Sequence, residues 1–218
     1  MLAHLIADFI LQPYALVVLK RRPVGLAIHS GIHVLVTAAI AAPFLPRWWI
    51  ILPLSAVVHY AIDRWKVSSR QTTGLASLAL FLLDQVLHLG ALALVVLIAG
   101  LPLGRQVNYG SDGLVSAMYY AVPYVAATFA GAILIYQIAV ALGTRPDPDE
   151  LLSPGPRTAG LARRALAISL VLFAAPMWWL VGAIPFVVAW ARADRARGRL
   201  LEEASGFGFA MALGLLFR

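Results

Sequence analysis

The chain contains no cysteine. A disulfide framework, a thiolate nucleophile and an iron–sulfur cluster are therefore excluded, and any metal it holds must rest on nitrogen and oxygen ligands. Charge is also scarce. Asp, Glu, Lys and Arg make up 12% of the 218 residues against 61% apolar residues, where a soluble domain carries about 25% and roughly 45–50%. Ten acidic and 17 basic side chains cannot coat a water-exposed surface of this size, so a soluble domain is excluded and the bilayer is the solvent for most of the chain. A Ser-His-Asp nucleophile motif, a P-loop and a glycine-rich dinucleotide fingerprint are missing too. The apolar runs show no period-2 alternation, and an open sheet would leave backbone groups unpaired in lipid, so every span is expected to be helical.

What is present is a series of apolar runs bounded by charges or by Pro and Gly. They lie near residues 1–19, 24–42, 48–65, 74–100, 114–142 and 161–180, followed by shorter runs near 182–197 and 205–217. These predict an all-α polytopic transmembrane bundle of about eight helices, or seven if 161–191 is continuous; a break near Gly182 and Pro185 is favoured. The first run lacks a basic leader region and carries His4, Asp8 and Gln12, so it reads as a true helix rather than a cleaved signal. Three parts follow: a four-helix membrane domain over 1–100, an outer loop over 101–113, and C-terminal helices over 114–218 with a cytoplasmic Pro-rich loop at 143–160. Both loops are too polar for helices in lipid.

The net charge of +7 is a topology signal rather than a nucleic-acid footprint, because the basic residues sit in short loops between apolar runs. With eight crossings, 14 of the 17 fall on one side: Lys20, Arg21, Arg22, Arg64, Lys66, Arg70, Arg145 and the seven arginines from Arg157 to Arg199. Arg47, Arg105 and Arg218 fall on the other. The rich side is read as cytoplasmic, which puts both termini outside. Trp48, Trp49, Trp178 and Trp179 at outer ends, and Trp65 and Trp190 at inner ends, agree with aromatic belts.

All five histidines lie in the first 88 residues, inside apolar runs. His4 with Asp8, His29 with His33, His59 with Asp63, and Asp84 with His88 form four pairs on four successive spans, each separated by four residues. That separation sets both side chains on one helix face. Gln12 continues the first stripe. Counting about 1.5 Å per residue from the cytoplasmic helix ends puts most of these groups roughly 9 to 23 Å deep, in one layer. Asp63 lies about three residues from the boundary by the same count, and His4 lies near the outer edge.

Three carboxylates in hydrocarbon cost roughly 2.5–3.5 kcal/mol each unless neutralised. With the basic residues almost all in loops, His and a bound cation are the expected partners. His and Asp suit a divalent metal, zinc first, with iron or manganese as alternatives. The expected ligands are His4, Asp8, His29, His33, His59, Asp63, Asp84 and His88, with Gln12 and Gln85 behind them. They suffice for one ion with flanking carboxylates or two ions sharing ligands, as in helical bundles that project acids and imidazoles inward. Asp8 and Asp84 are the expected catalytic proton acceptors. A proton or ion pathway and a structural polar network are the alternatives for the same residues. Elsewhere, Gly25 with Gly31 and Gly206 with Gly208 are expected to permit close helix packing. Asp112, Asp147, Asp149 and Glu150 read as solvated loop charges, and Glu202 and Glu203 as surface partners of Arg197 and Arg199.

Four stretches occur in order: His4-Leu-Ile-Ala-Asp8-Phe-Ile-Leu-Gln12, Gly25-Leu-Ala-Ile-His29-Ser-Gly-Ile-His33, His59-Tyr-Ala-Ile-Asp63 and Leu82-Leu-Asp84-Gln85-Val-Leu-His88. In these the first 90 residues resemble the domain-of-unknown-function family 3307, multipass proteins of the bacterial inner membrane. The resemblance implies a membrane protein with a common polar core and says nothing about a substrate. From the residues themselves, the function expected is a metal-dependent intramembrane hydrolase acting on a lipid or a lipid-linked phosphate or ester. The alternatives are a proton- or metal-coupled transporter and an accessory protein. Membrane lipid is the expected partner, nucleic acid is not, and the oligomeric state is open.

Overall fold

The computed structural model describes residues 1–41, 48–69, 73–98, 113–143, 154–192 and 197–218, and no strand occurs among them. The protein is an all-α membrane protein. Two compact units divide the chain, Met1–Thr72 with Ala79–Val115, and Thr73–Leu78 with Ser116–Arg218.

In the first unit, α1 (Leu2–Leu5) widens into a π-helical turn at Ile6–Ile10. Leu11 then leaves the helix at φ −94°, and Pro13 is extended at φ −67°, ψ 159° before α2 (Tyr14–Leu19). The run 1–19 is therefore not the single helix expected. Proline disfavours helical backbone at the residue before it, Gln12, and is tolerated where a new helix starts because its missing N–H has no partner there anyway. α3 (Pro23–Ala41) opens on a proline for the same reason. α4 (Trp48–Ser68) carries Pro53 within it, with the Ser55 hydroxyl donating to the Ile51 carbonyl at 2.6 Å. α5 (Leu75–Ile98) follows Gly74, whose φ of 61° is the left-handed region open to glycine. α1 and α2 pack on α3, and α3 packs on α4. Ile51 of α4 meets Val95 of α5.

In the second unit, α6 (Gly113–Val125), a π-helical turn at Ala126–Ala130 and α7 (Gly131–Ala141) run on as one helical stretch. α8 (Pro154–Phe173) begins inside the segment expected to be an exposed connector, while 144–153 and the expected outer loop up to residue 112 lie outside the described residues. The next break comes at Ala174 and Ala175, earlier than the expected one near Gly182. Pro176 opens a 3₁₀ stretch to Ala183, which passes into α9 (Ile184–Arg192) and is followed by α10 (Arg197–Phe217). Ala127, Ala167, Ile168, Leu172, Phe186 and Ala210 form the core. Glu203 is buried and accepts a hydrogen bond from Arg163 Nη2 at 2.8 Å, so its expected place on the surface is corrected.

Only one glycine of each expected packing pair meets a neighbour. A Cβ on Gly25 would lie 2.1 Å from the Leu19 carbonyl oxygen, and one on Gly206 would lie 3.3 Å from Phe186, whereas Gly31 and Gly208 meet nothing within 4 Å. A Cβ on Gly214, which is not among the expected packing glycines, would lie 2.6 Å from Val171.

Among the described residues, Pro23–Ile40, Leu75–Ile98, Gly113–Ala141 and Leu200–Phe217 are long and apolar enough to cross a membrane. α5 turns Leu82, Leu83, Val86, Leu94 and Leu97 outward, an apolar surface that suits lipid.

Candidate metal centre

The four i, i+4 pairs meet within the first unit. Asp8, on the π-helical turn after α1, is the hub. His33 Nε2 lies 2.7 Å and His29 Nε2 3.0 Å from its Oδ1, each donating a hydrogen bond. His4 Nε2 lies 3.5 Å from Oδ2, and His59 Nε2 3.8 Å from Oδ1. Four imidazoles from three helices thus aim the same ring nitrogen at one carboxylate. The π turn widens the helix where this carboxylate projects, and such turns recur at functional positions.

Asp63 and Asp84 extend the cluster. Asp63 Oδ2 lies 3.4 Å from His59 Nε2 and 3.6 Å from His29 Nε2. On α5, the His88 Nδ1–H donates to the Asp84 carbonyl one turn back at 2.9 Å. That bond fixes the tautomer, leaving Nε2 as the lone-pair nitrogen that a metal needs. The rings of His4 and His88 stack at 5.0 Å, and those of His33 and His59 lie 3.6 Å apart between centroids. Gln85 donates to Asp84 Oδ2 at 2.8 Å. His4 and Asp63, expected near the two membrane boundaries, are only 4% and 3% exposed.

Two members of the site were missed by the sequence reading. Lys20 Nζ lies 2.6 Å from Asp63 Oδ2 and donates to Gln12 Oε1 at 2.9 Å; Lys66 Nζ donates to Asp84 Oδ2 at 2.6 Å. The expectation that basic residues stay in loops, leaving only His and a bound cation to neutralise the carboxylates, is corrected by these two contacts. A signal existed for Lys66, which follows Asp63 by three residues and His59 by seven and so shares their helix face. None existed for Lys20, because the break at Pro13 resets the helical phase between Gln12 and Lys20.

The donor set fits a divalent ion. Among the described residues, three groups bring ligand atoms within 4.8 Å of one another: His4, Asp8, His33 and His59; His29, His59 and Asp63; and Asp63, Asp84 and His88. Bonds of about 2.0 Å to a tetrahedral ion put its ligand atoms about 3.3 Å apart, inside the range of separations around Asp8. His4 Nε2 and His59 Nε2, both in the first of these groups, are buried and make no hydrogen bond among the described residues. Buried polar atoms are rarely left so, and a cation would engage them.

No curated protein and no solved structure matches the chain. A family described as protein of unknown function (DUF3307) matches residues 1–108, the stretch that holds every histidine and all three site carboxylates, and the match assigns that stretch to the DUF3307 family.

Proposed function

We propose that the protein is a metal-dependent hydrolase of the bacterial inner membrane that acts on a lipid or a lipid-linked phosphate or ester. The observation that carries this reading is the convergence of four imidazole Nε2 atoms within 3.8 Å of the Asp8 carboxylate. His4, His33 and His59 are the proposed ligands of a zinc ion, or of iron or manganese in the same role, with the His33 ring proton moved to Nδ1 so that Nε2 exchanges its hydrogen bond to Asp8 for the ion, which leaves a coordination position open. When bound, such an ion lowers the pKa of its water from 15.7 to near 7. Asp8 is positioned to take the proton, and the hydrogen bond from His29 holds that carboxylate in place. Asp84 is the second carboxylate within the cluster. The apolar outward faces of the helices favour a substrate that enters sideways from the bilayer, so membrane lipid is the proposed partner and nucleic acid is not. The basic loops are assigned to the cytoplasm and both termini to the outside.

Purified protein in nanodiscs with native lipid extract tests this. Stoichiometric zinc and the chelator-sensitive disappearance of one lipid species by mass spectrometry, without an ion gradient, are expected, and Asp8→Asn should abolish turnover. Absence of metal from protein prepared without chelator, with no change in thermal stability on adding zinc, would overturn it. A transporter is the second reading, favoured by the helix break from Leu11 to Pro13 beside the polar cluster, since broken helices line transport sites. Gradient-driven movement of metal or protons with all lipids intact would select it.

A further inference from the structure

The three groups able to face a cation are not equivalent. Asp63 Oδ2 faces Lys20 Nζ and Asp84 Oδ2 faces Lys66 Nζ, each at 2.6 Å. The ion-pair partners of Asp8 among the described residues are imidazoles alone. We infer that the centre holds one divalent ion, in the His4–Asp8–His33–His59 group, and that Lys20 and Lys66 are tethered cations standing in for a second ion at Asp63, Asp84 and His88. The inference rests on the metal centre proposed above and adds its stoichiometry and the reason for it.

Charge and geometry lead to the same count. With neutral imidazoles, three carboxylates and two ammonium groups sum to −1, and one divalent ion brings the cluster to +1. A second would bring it to +3 where His4, His59, Asp63, Asp84 and His88 are 2–6% exposed. A buried charge of that size has no compensation. The remaining group, His29, His59 and Asp63, shares His59 with the first, and one Nε2 lone pair serves one ion. Two ammonium groups carry the charge of one divalent ion. Removing both returns the cluster to −3, and two ions then restore the +1 of the native protein.

The test is elemental analysis of full-length protein in detergent, loaded with zinc and desalted, with tryptophan fluorescence following thermal unfolding. Wild type is expected to hold one zinc, the Lys20→Met/Lys66→Met double variant two, and Lys20→Arg/Lys66→Arg one, because the charges are kept. Should the double Met variant be unfolded without metal, added zinc is expected to restore its folded transition; failure to do so overturns the inference. Two or more zinc ions in wild type overturn it as well, as does a folded double Met variant that stays at one. Wild type without zinc is a separate result, which refutes the metal centre itself.

Discussion

Replacing Gly25 by alanine should push Lys20 out of the cluster. The new Cβ would stand 2.1 Å from the Leu19 carbonyl oxygen, 2.2 Å from its carbon and 2.6 Å from the Lys20 nitrogen, all backbone atoms. Reaching even 3.0 Å, the distance under which Cβ contacts are essentially never found, requires a retreat of 3.0 − 2.1 = 0.9 Å. The end of α2 cannot simply rotate away, because the Lys20 N–H is bonded to the Leu16 carbonyl and the Leu19 carbonyl accepts from Arg22, both at 2.9 Å. The shift therefore moves Lys20, whose ammonium sits 2.6 Å from Asp63. Overpacking costs about 1–3 kcal/mol and breaking a buried ion pair about 3–5 kcal/mol; with the flexible lysine stem absorbing part of the shift, a loss of about 2–4 kcal/mol is expected. Gly31→Ala on the same helix is the control. It meets nothing within 4 Å and should match wild type or exceed it by up to about 1 kcal/mol, the helix propensity difference. Unfolding in mixed SDS micelles measures both. Equal stability of the two variants would refute the reasoning.

Gly214→Ala should separate α8 from α10 at a cost of about 1–3 kcal/mol, since its Cβ would meet Val171 at 2.6 Å. Adding Val171→Ala should recover much of that loss, and Gly208→Ala should be neutral in the same micelle titration. A chelator should lower the thermal midpoint of wild type and leave that of a His33→Ala/His59→Ala variant unmoved, whereas Asp147→Ala should respond as wild type does. Reporter fusions after residue 150 should read as cytoplasmic. Strong periplasmic-reporter activity there would contradict the assigned orientation, and a periplasmic signal after residue 199 would mean that 161–191 crosses once.

The four His and Asp pairs were legible because a four-residue separation is a local property of a helix, fixed before any packing. His59 and Asp63 share a face wherever α4 lies, and so do Asp84 and His88 on α5. Which basic residues join them depends on tertiary geometry. Lys66 stands in phase with Asp63, but a lysine near the end of an apolar run carries the same signature as a topology marker. Lys20 comes after a proline that breaks the phase, so no count from Gln12 could aim it at Asp63. Glu203 has two arginines a few residues upstream, yet it also accepts a hydrogen bond from Arg163, forty residues away. The glycines behave likewise: Gly208 and Gly214 are both six-residue neighbours on α10, yet only the rotation of that helix decides which one faces Val171.

The interrupted first segment bears on biogenesis. Leu2–Ile10 and Tyr14–Leu19 are about 14 and 9 Å long at 1.5 Å per residue, far short of the roughly 30 Å hydrocarbon core. This segment also carries Asp8, a residue costing about 2.5–3.5 kcal/mol at a helix centre in translocon-mediated insertion. Among the described residues, the first stretch long and apolar enough to cross the membrane is Pro23–Ile40. The segment before it is therefore expected to wait at the membrane surface until α3 and α4 have brought in His29, His33 and His59, and then to exchange water for imidazoles around Asp8. Membrane entry of residues 2–19 and completion of the centre become a single late event. Loss of those imidazoles should then leave the segment open to protease or to a water-soluble labelling reagent in otherwise integrated protein.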